Sequence, residues 1–329
     1  NNGSGTVTAA TTLASITVGG SVVGGSAGDS GEIKTTGNMG AVKIGRDFIG
    51  GTATVSGLIE CAAGDLTSVT IAGSMIGGTS NSTGKINVNN GQLGPVKIGG
   101  DFVGGSITGA DFANQTGFIF GQRIVSVTIG GSIIAGTDDS TGTLTGSASI
   151  RAGDDLGPVT VKGSLVGNAL VPVIISGRGQ AAQTATDLAI ASVTVGGRVE
   201  QARILAGYDV NLNAANGDAQ IGTIKVGGDW IASSAVAGVK DTGLNDFGDG
   251  DDLLIAAGTA ITARIAAIQI GGLVIGTAGA GDHFGFVAEQ IGSFKSLGFI
   301  APLHAGPPPP PPDVVELSLT TSDVTIREV

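Results

Sequence analysis

One phrase recurs nine times along the 329 residues: two apolar, mostly β-branched residues around a polar one, two mostly small residues, then a polar residue and an apolar pair. It first reads Ile16-Thr17-Val18-Gly19-Gly20-Ser21-Val22-Val23, and the place of Gly19 returns at Gly45, Ala72, Gly99, Gly130, Lys162, Gly196, Gly227 and Gly271. Successive spacings are 26, 27, 27, 31, 32, 34, 31 and 44 residues. Self-similarity at such a period marks stacked repeats, in which no unit buries its apolar face alone and neighbours supply the core.

Alternation sets the local structure. Val69-Thr70-Ile71 and Val96-Lys97-Ile98 place a polar residue between two apolar ones, the period of a half-buried strand. The small pair that follows permits a sharp bend. A second short strand comes next, as in Ser132-Ile133-Ile134 or Asp101-Phe102-Val103, and it closes on glycine at Gly77-Gly78 and Gly104-Gly105. A third apolar stretch completes each period, as in Leu58-Ile59-Glu60-Cys61, Lys85-Ile86-Asn87-Val88 and Ser149-Ile150-Arg151-Ala152. The predicted class is all-β: a parallel β-helix, or β-solenoid, of about nine or ten three-sided coils. With 60 glycines and only 4% aromatic residues, its core must be thin and filled by stacked Val, Ile, Leu and Ala. The regular spacing of the 41% hydrophobic residues argues against disorder.

Two positions of the phrase change together. Thr17, Thr70, Thr128 and Thr160 are followed four residues on by Ser21, Ser74, Ser132 and Ser164, whereas Lys43, Lys97 and Lys225 are followed by Asp47, Asp101 and Asp229. The expectation is an outward Lys–Asp pair across the Gly-Gly corner, with neutral Thr/Ser repeats between charged ones. Phe48, Phe102 and Trp230 alternate with Val22, Met75, Ile133 and Val199 at one place, which reads as an interior stack. The single cysteine, Cys61, excludes an internal disulfide and reads as a small buried residue.

A formal charge of −11 argues against a nucleic-acid partner, which requires a basic face. No apolar run reaches the ~18 residues of a membrane helix, so no membrane insertion is expected. The chain opens at Asn1 without a charged-then-apolar leader and reads as a mature or excised segment. Catalysis is not expected. Asp138/Asp139 and Asp154/Asp155 are the candidate acid pairs, but the Gly-His-Gly and Arg-x-Lys signatures of a pectinase-like site are absent, and both histidines, His283 and His304, lie in irregular segments. The 44-residue spacing holds an acidic insertion, Asp241 to Asp252. Asp246, Asp249, Asp251 and Asp252 on its glycine-flexed loop suit a hard cation, and calcium is the one cofactor left open. Their spacing matches neither an EF-hand nor a Gly-Gly-x-Gly-x-Asp nonapeptide, and a solvated acidic loop is the alternative.

The C-terminal end breaks the pattern. The division expected is a solenoid over 1–301, a polyproline linker over 302–312 containing the run Pro307 to Pro312, and a strand or hairpin over 313–329. Val315, Leu317 and Leu319 alternate with polar residues, and Val324 and Ile326 resume the alternation. So short a segment cannot fold alone. It is left to pair with a neighbouring subunit by strand complementation, to open a further domain, or to fold back on its own chain.

With its Val-Thr-Ile-Gly-Gly-Ser phrase and repeat length, the chain resembles bacterial secreted β-strand-repeat proteins, the adhesin-like and autotransporter-passenger-like β-solenoids, over roughly residues 10–300. The resemblance implies an extracellular or cell-surface place and a structural or adhesive role, and it carries over no catalytic residue. The function expected is a structural subunit of an extracellular fibre or surface layer, with copies of itself as partner. The alternatives are a carbohydrate-binding or adhesive stalk meeting surface glycans and, third, a β-helical polysaccharide lyase or hydrolase.

Overall fold

The computed structural model describes residues 5–180, 186–243, 245–258, 261–279, 281–304, 313–318, 321 and 323–329. Among them every regular element is a strand and none is a helix. The strands join into large, mostly parallel sheets, an arrangement compatible with a β-solenoid. The chain divides into two compact units, residues 1–151 with 160–174, and 152–159 with 175–329.

In the first unit the recurring phrase stacks on itself in strict register. Leu13–Val18, Met39–Ile44, Leu66–Ile71, Val96–Ile98 and Val127–Ile129 pair in that order, all parallel, so that Thr17, Lys43, Thr70, Lys97 and Thr128 form one row. Each lysine therefore lies between threonines, and like charges are not adjacent. The second strand of the period forms a row Val22, Phe48, Met75, Phe102, Ile133, Leu165. Phe48, Met75, Phe102, Ile133 and Leu165 are fully buried, which makes this the alternating large and small interior stack expected of them. The third stretch stacks Ile33, Ile59, Ile86 and Ile119 in register. Cys61 is buried in that ladder, its sulfur 2.8 Å from Gly37 O and 3.0 Å from Gly64 O.

The covarying Ser/Asp position has a different role from the one expected of it. No ion pair joins Lys43 to Asp47, Lys97 to Asp101 or Lys225 to Asp229 among the described residues. Instead the position forms a ladder along the corner, where each side chain accepts the backbone N–H of the same position one repeat on. Ser21 Oγ accepts from Asp47 N (3.2 Å), Asp47 Oδ1 from Ser74 N (2.8 Å), Ser74 Oγ from Asp101 N (3.1 Å), Asp101 Oδ1 from Ser132 N (2.7 Å) and Ser132 Oγ from Ser164 N (3.1 Å). Pairing at the solvent face is worth little, whereas a bent backbone must place its N–H groups somewhere, and a short side chain at the bend is the nearest acceptor. Asp101→Ala should therefore cost about 1–2 kcal/mol while Asp101→Ser, the residue of alternate repeats, restores most of it. Urea unfolding of the two variants checks this; equal loss in both would mean that the hydrogen bond is not the cause.

A second hydroxyl ladder lies inside. Ser30, Ser56, Thr83, Thr116 and Ser147 are buried, and their oxygens accept the N–H groups of Gly25, Gly51, Gly78, Gly105 and Gly136 at 2.7–3.1 Å. Each closes the short excursion after the second strand and satisfies an amide that no ladder reaches.

The second unit repeats the scheme. Ile190–Val195, Ile221–Val226, Arg264–Ile270 and Phe294–Ser296 stack in parallel, as do Val199, Trp230 and Val274 in the interior row. A third ladder runs through Ala202–Ala206, Ser234–Ala237 and Phe284–Ala288. Trp230 packs 4.8 Å from Phe286, which lies 5.1 Å from Phe294, and the indole N–H donates to Ser233 O at 2.8 Å.

The C-terminal segment takes the last place in that third ladder. Val324–Glu328 pairs in parallel with Phe284–Ala288, and Val314–Glu316 returns antiparallel on its other side. Val324 and Ile326 are fully buried; Val315 and Leu317 are half-buried, and Leu317 packs against the Ala232–Phe284–Val324 cluster. Of the three places the sequence left open for this strand, it occupies its own chain. Leu319 and the run Pro307 to Pro312 lie outside the described residues.

Candidate functional site

The repeat is broken most in the second unit. Ala206 and Ala237 are register partners in the third ladder of the second unit, and the chain leaves that ladder after each of them. The first excursion, 207–216, begins at Gly207, whose φ of +99° suits glycine. Asp209 then folds it: Oδ1 accepts from Asn211 N and Asn213 N (both 2.8 Å), and Oδ2 accepts from Asn213 Nδ2 (2.9 Å). The second excursion is held at its base by antiparallel pairing of Val239–Lys240 with Leu253–Leu254, and it carries the acidic insertion.

The two excursions share a small core of their own. Leu205, Tyr208, Val236, Val239, Phe247, Ile255 and Val287 are buried together. Tyr208 OH donates to Val239 O at 2.7 Å, and its ring meets that of Phe247 edge-on, with centroids 6.4 Å apart. Burial, with Asp252, Asp241 and Asp246 nearby, pushes the Tyr208 phenol well above its ordinary range, so it stays protonated and keeps donating. Between the excursions lies a cavity of about 500 Å³, with Arg203, Tyr208, Asn213, Lys240, Asp246 and Phe247 among its lining residues. Arg203 grips Asp246 through Nη2 (2.7 Å) and Nε (3.0 Å) to one carboxylate oxygen. Burial raises the Asp246 pKa, and the guanidinium works against that rise.

The four carboxylates proposed for calcium are not gathered into one donor set. Asp246 faces Arg203; Asp252 is buried and accepts Gly248 N at 2.7 Å; Asp249 accepts from Asn245 Nδ2 (2.7 Å) and Asp251 N (3.1 Å), with His283 Nε2 at 3.7 Å. Among the described residues no group of three or more His, Cys, Asp or Glu side chains is placed to hold a metal ion. Asp251 lies beside Asp249 and Asp241, whose carboxylates push its own carboxyl pKa up, while Asp246 is held apart by Arg203.

The candidate acid pairs are not set against each other: Asp138 and Asp139 lie in the short strand Asp138–Ser140, and Asp154 and Asp155 follow the strand Ser149–Ala152. Asp138 Oδ1 accepts from Ser140 N and Oγ and its Oδ2 from Leu144 N, and these hydrogen bonds, the Ser140 hydroxyl first, lower its pKa. Asp155 Oδ2 accepts from Gln180 Nε2 at 2.6 Å. His304 is exposed and held to Asp313, Nδ1 to Oδ1, at 2.7 Å.

Sequence reasoning located the acidic insertion but missed Arg203, Tyr208, Asn213 and Lys240. The available signal was the cluster Asn211-Leu212-Asn213-Ala214-Ala215-Asn216-Gly217-Asp218, whose three asparagines, glycine and aspartate are turn formers. Its partnership with a loop thirty residues on is a consequence of register alone. Compared with known proteins, the chain matches no family model, no curated protein and no solved structure.

Proposed function

We propose that this chain is a structural subunit of an extracellular bacterial fibre or surface layer, built as a β-solenoid of about nine or ten three-sided coils over residues 1–301. The observation that carries this reading is where the recurring polar groups go: Ser21, Asp47, Ser74, Asp101 and Ser132 each hold the backbone of the adjoining repeat. A row that runs unbroken from Ser21 to Ser164 and is committed to backbone amides serves cohesion along the stack.

Two routes of assembly are consistent with the edges. Leu13–Val18 has a ladder partner on one side only among the described residues, and beside it Ile16, Val18 and Val22 are half-buried around a hollow of about 450 Å³. Such an edge invites another strand. Val324–Glu328, by contrast, is paired on both sides, so donation to a neighbour requires exchange of a strand already seated in its own chain.

Electron microscopy of the purified chain tests the proposal. Filaments or sheets are expected, and monodisperse particles of 31.9 kDa at high concentration would sink it. Ile16→Lys and a deletion of 313–329 separate the routes: loss of assembly only in the first assigns it to the edge, and only in the second to strand exchange. The second reading, a carbohydrate-binding stalk segment, is favoured by the cavity beside the insertion.

A further inference from the structure

We propose that the cavity between the 207–216 and 241–252 excursions binds a neutral sugar ring, a single saccharide unit or the terminal unit of a glycan. The inference gives the carbohydrate-binding reading a site and a ligand class, and it rests on that reading rather than on assembly.

This cavity lies where two register-matched positions, Ala206 and Ala237, both release the chain into longer loops. Both loops contribute to its lining. The walls are fixed by the Asp209 turn, the Tyr208–Val239 hydrogen bond and the shared apolar core. A ligand therefore meets side chains already in place, which removes much of the ordering cost of binding. The volume of about 500 Å³ falls within the ~300–1,000 Å³ typical of small-molecule sites.

The chemistry of the lining selects the ligand. Leu205, Tyr208 and Phe247 form an apolar floor, and Arg203, Asn213, Lys240, Asp241 and Asp246 stand around it. A hydrocarbon ligand would press against the Arg203–Asp246 pair and strip it of solvent, at a cost that apolar contact does not recover. An anion such as phosphate finds no net positive field, because two cationic side chains face two acidic ones and the guanidinium is already gripped by Asp246. A pyranose has both features the cavity offers: a rim of hydroxyls that donate and accept, and a face of C–H groups. Lys240 makes no ion pair among the described residues and is a free donor. Asn213 has its amide nitrogen bound to Asp209 Oδ2, which sets the orientation of the remaining carbonyl oxygen.

The test uses the whole chain and ligand-observed saturation-transfer NMR with the methyl glycosides of glucose, galactose, mannose and N-acetylglucosamine, beside inorganic phosphate and free leucine. At least one glycoside should show transfer. Lys240→Ala and Asn213→Ala should each weaken its binding about fivefold or more, the loss of one hydrogen bond. Lys97→Ala, on the ladder of the first unit, should leave it unchanged. Leu212→Trp, which adds bulk to the lining, should abolish transfer while the thermal melt stays cooperative. The proposal is overturned if no glycoside shows transfer, if phosphate or leucine competes as well as the glycoside, or if the Lys240 and Asn213 variants titrate like the parent. Assembly is read separately by microscopy, so filaments without sugar binding would remove this inference alone.

Discussion

Gly105→Ala is expected to destabilise the chain by about 3 kcal/mol or more, although it adds a single methyl group. An ideal Cβ at Gly105 would stand 1.7 Å from Gly78 O and 2.9 Å from Thr116 Cβ. Its φ is not in the left-handed region, so the demand is for space between stacked backbones rather than for conformational freedom. Neither neighbour can retreat. Gly78 lies in the preceding repeat of the same row, and Thr116 is fully buried with its hydroxyl accepting Gly105 N. The contrast is Gly20→Ala, where nothing lies within 4 Å of the new Cβ, and where the change should be neutral or stabilising by a few tenths of a kcal/mol. Urea unfolding of both variants checks the pair. A Gly105 variant within 1 kcal/mol of the parent would show that the stack has more slack than its geometry allows.

The other large effect concerns pH. Burial, reinforced by the negative charges of Asp249 and Asp241, pushes the Asp252 carboxyl up to about 7, against the opposing pull of Gly248 N–H and Arg327. In the unfolded chain the same group titrates near ~4. Between those values the folded protein holds a proton that the unfolded chain has released. Stability from this group is therefore greatest below pH ~4, falls as pH rises towards 7, and is lowest above 7, a span on the order of 2–4 kcal/mol. Asp252→Asn keeps an acceptor for Gly248 N and removes the titration. The variant should be more stable than the parent at pH 8 by about that amount, and the difference should shrink towards pH 4. Parallel stability curves for the two proteins across this range would refute the assignment.

Much of the fold could be read in the residues. The Val-x-Ile phrase, its glycine corners and the third apolar stretch specify strands of period two, and their recurrence makes equivalent strands stack in register. Phe48, Phe102 and Trp230 were legible as interior because a large side chain that recurs at one place in an alternating row has only one place to go. The Ser/Asp covariation was legible as a pattern but not as a mechanism. From sequence, Lys43 and Asp47 look like ion-pair partners across a corner; only the stacked backbone reveals that Ser74 N–H lies nearer to Asp47 than any cation does. The buried hydroxyls of Ser30, Ser56, Thr83, Thr116 and Ser147 escaped notice for the same reason, since the amides they satisfy become orphans only once the glycine pair has bent.

The candidate site was half legible. Acidic residues crowded into 241–252 announce an insertion, but their composition suggested a cation, whereas folding set Asp246 on Arg203 and buried Asp252 among like charges. The cavity depends on residues forty apart that no motif connects.

By itself the sequence determined that this chain is an all-β stack of parallel strands, because periodicity and glycine placement are local and are repeated too often to be overridden. What only the tertiary structure decided is where the non-repeating parts lie. Val324–Glu328 completes a ladder in its own chain, and two loops released at Ala206 and Ala237 meet around an open cavity. Both outcomes turn on register, a relation between distant segments. A strand's alternation states which of its faces is apolar; it does not state which neighbour will cover it.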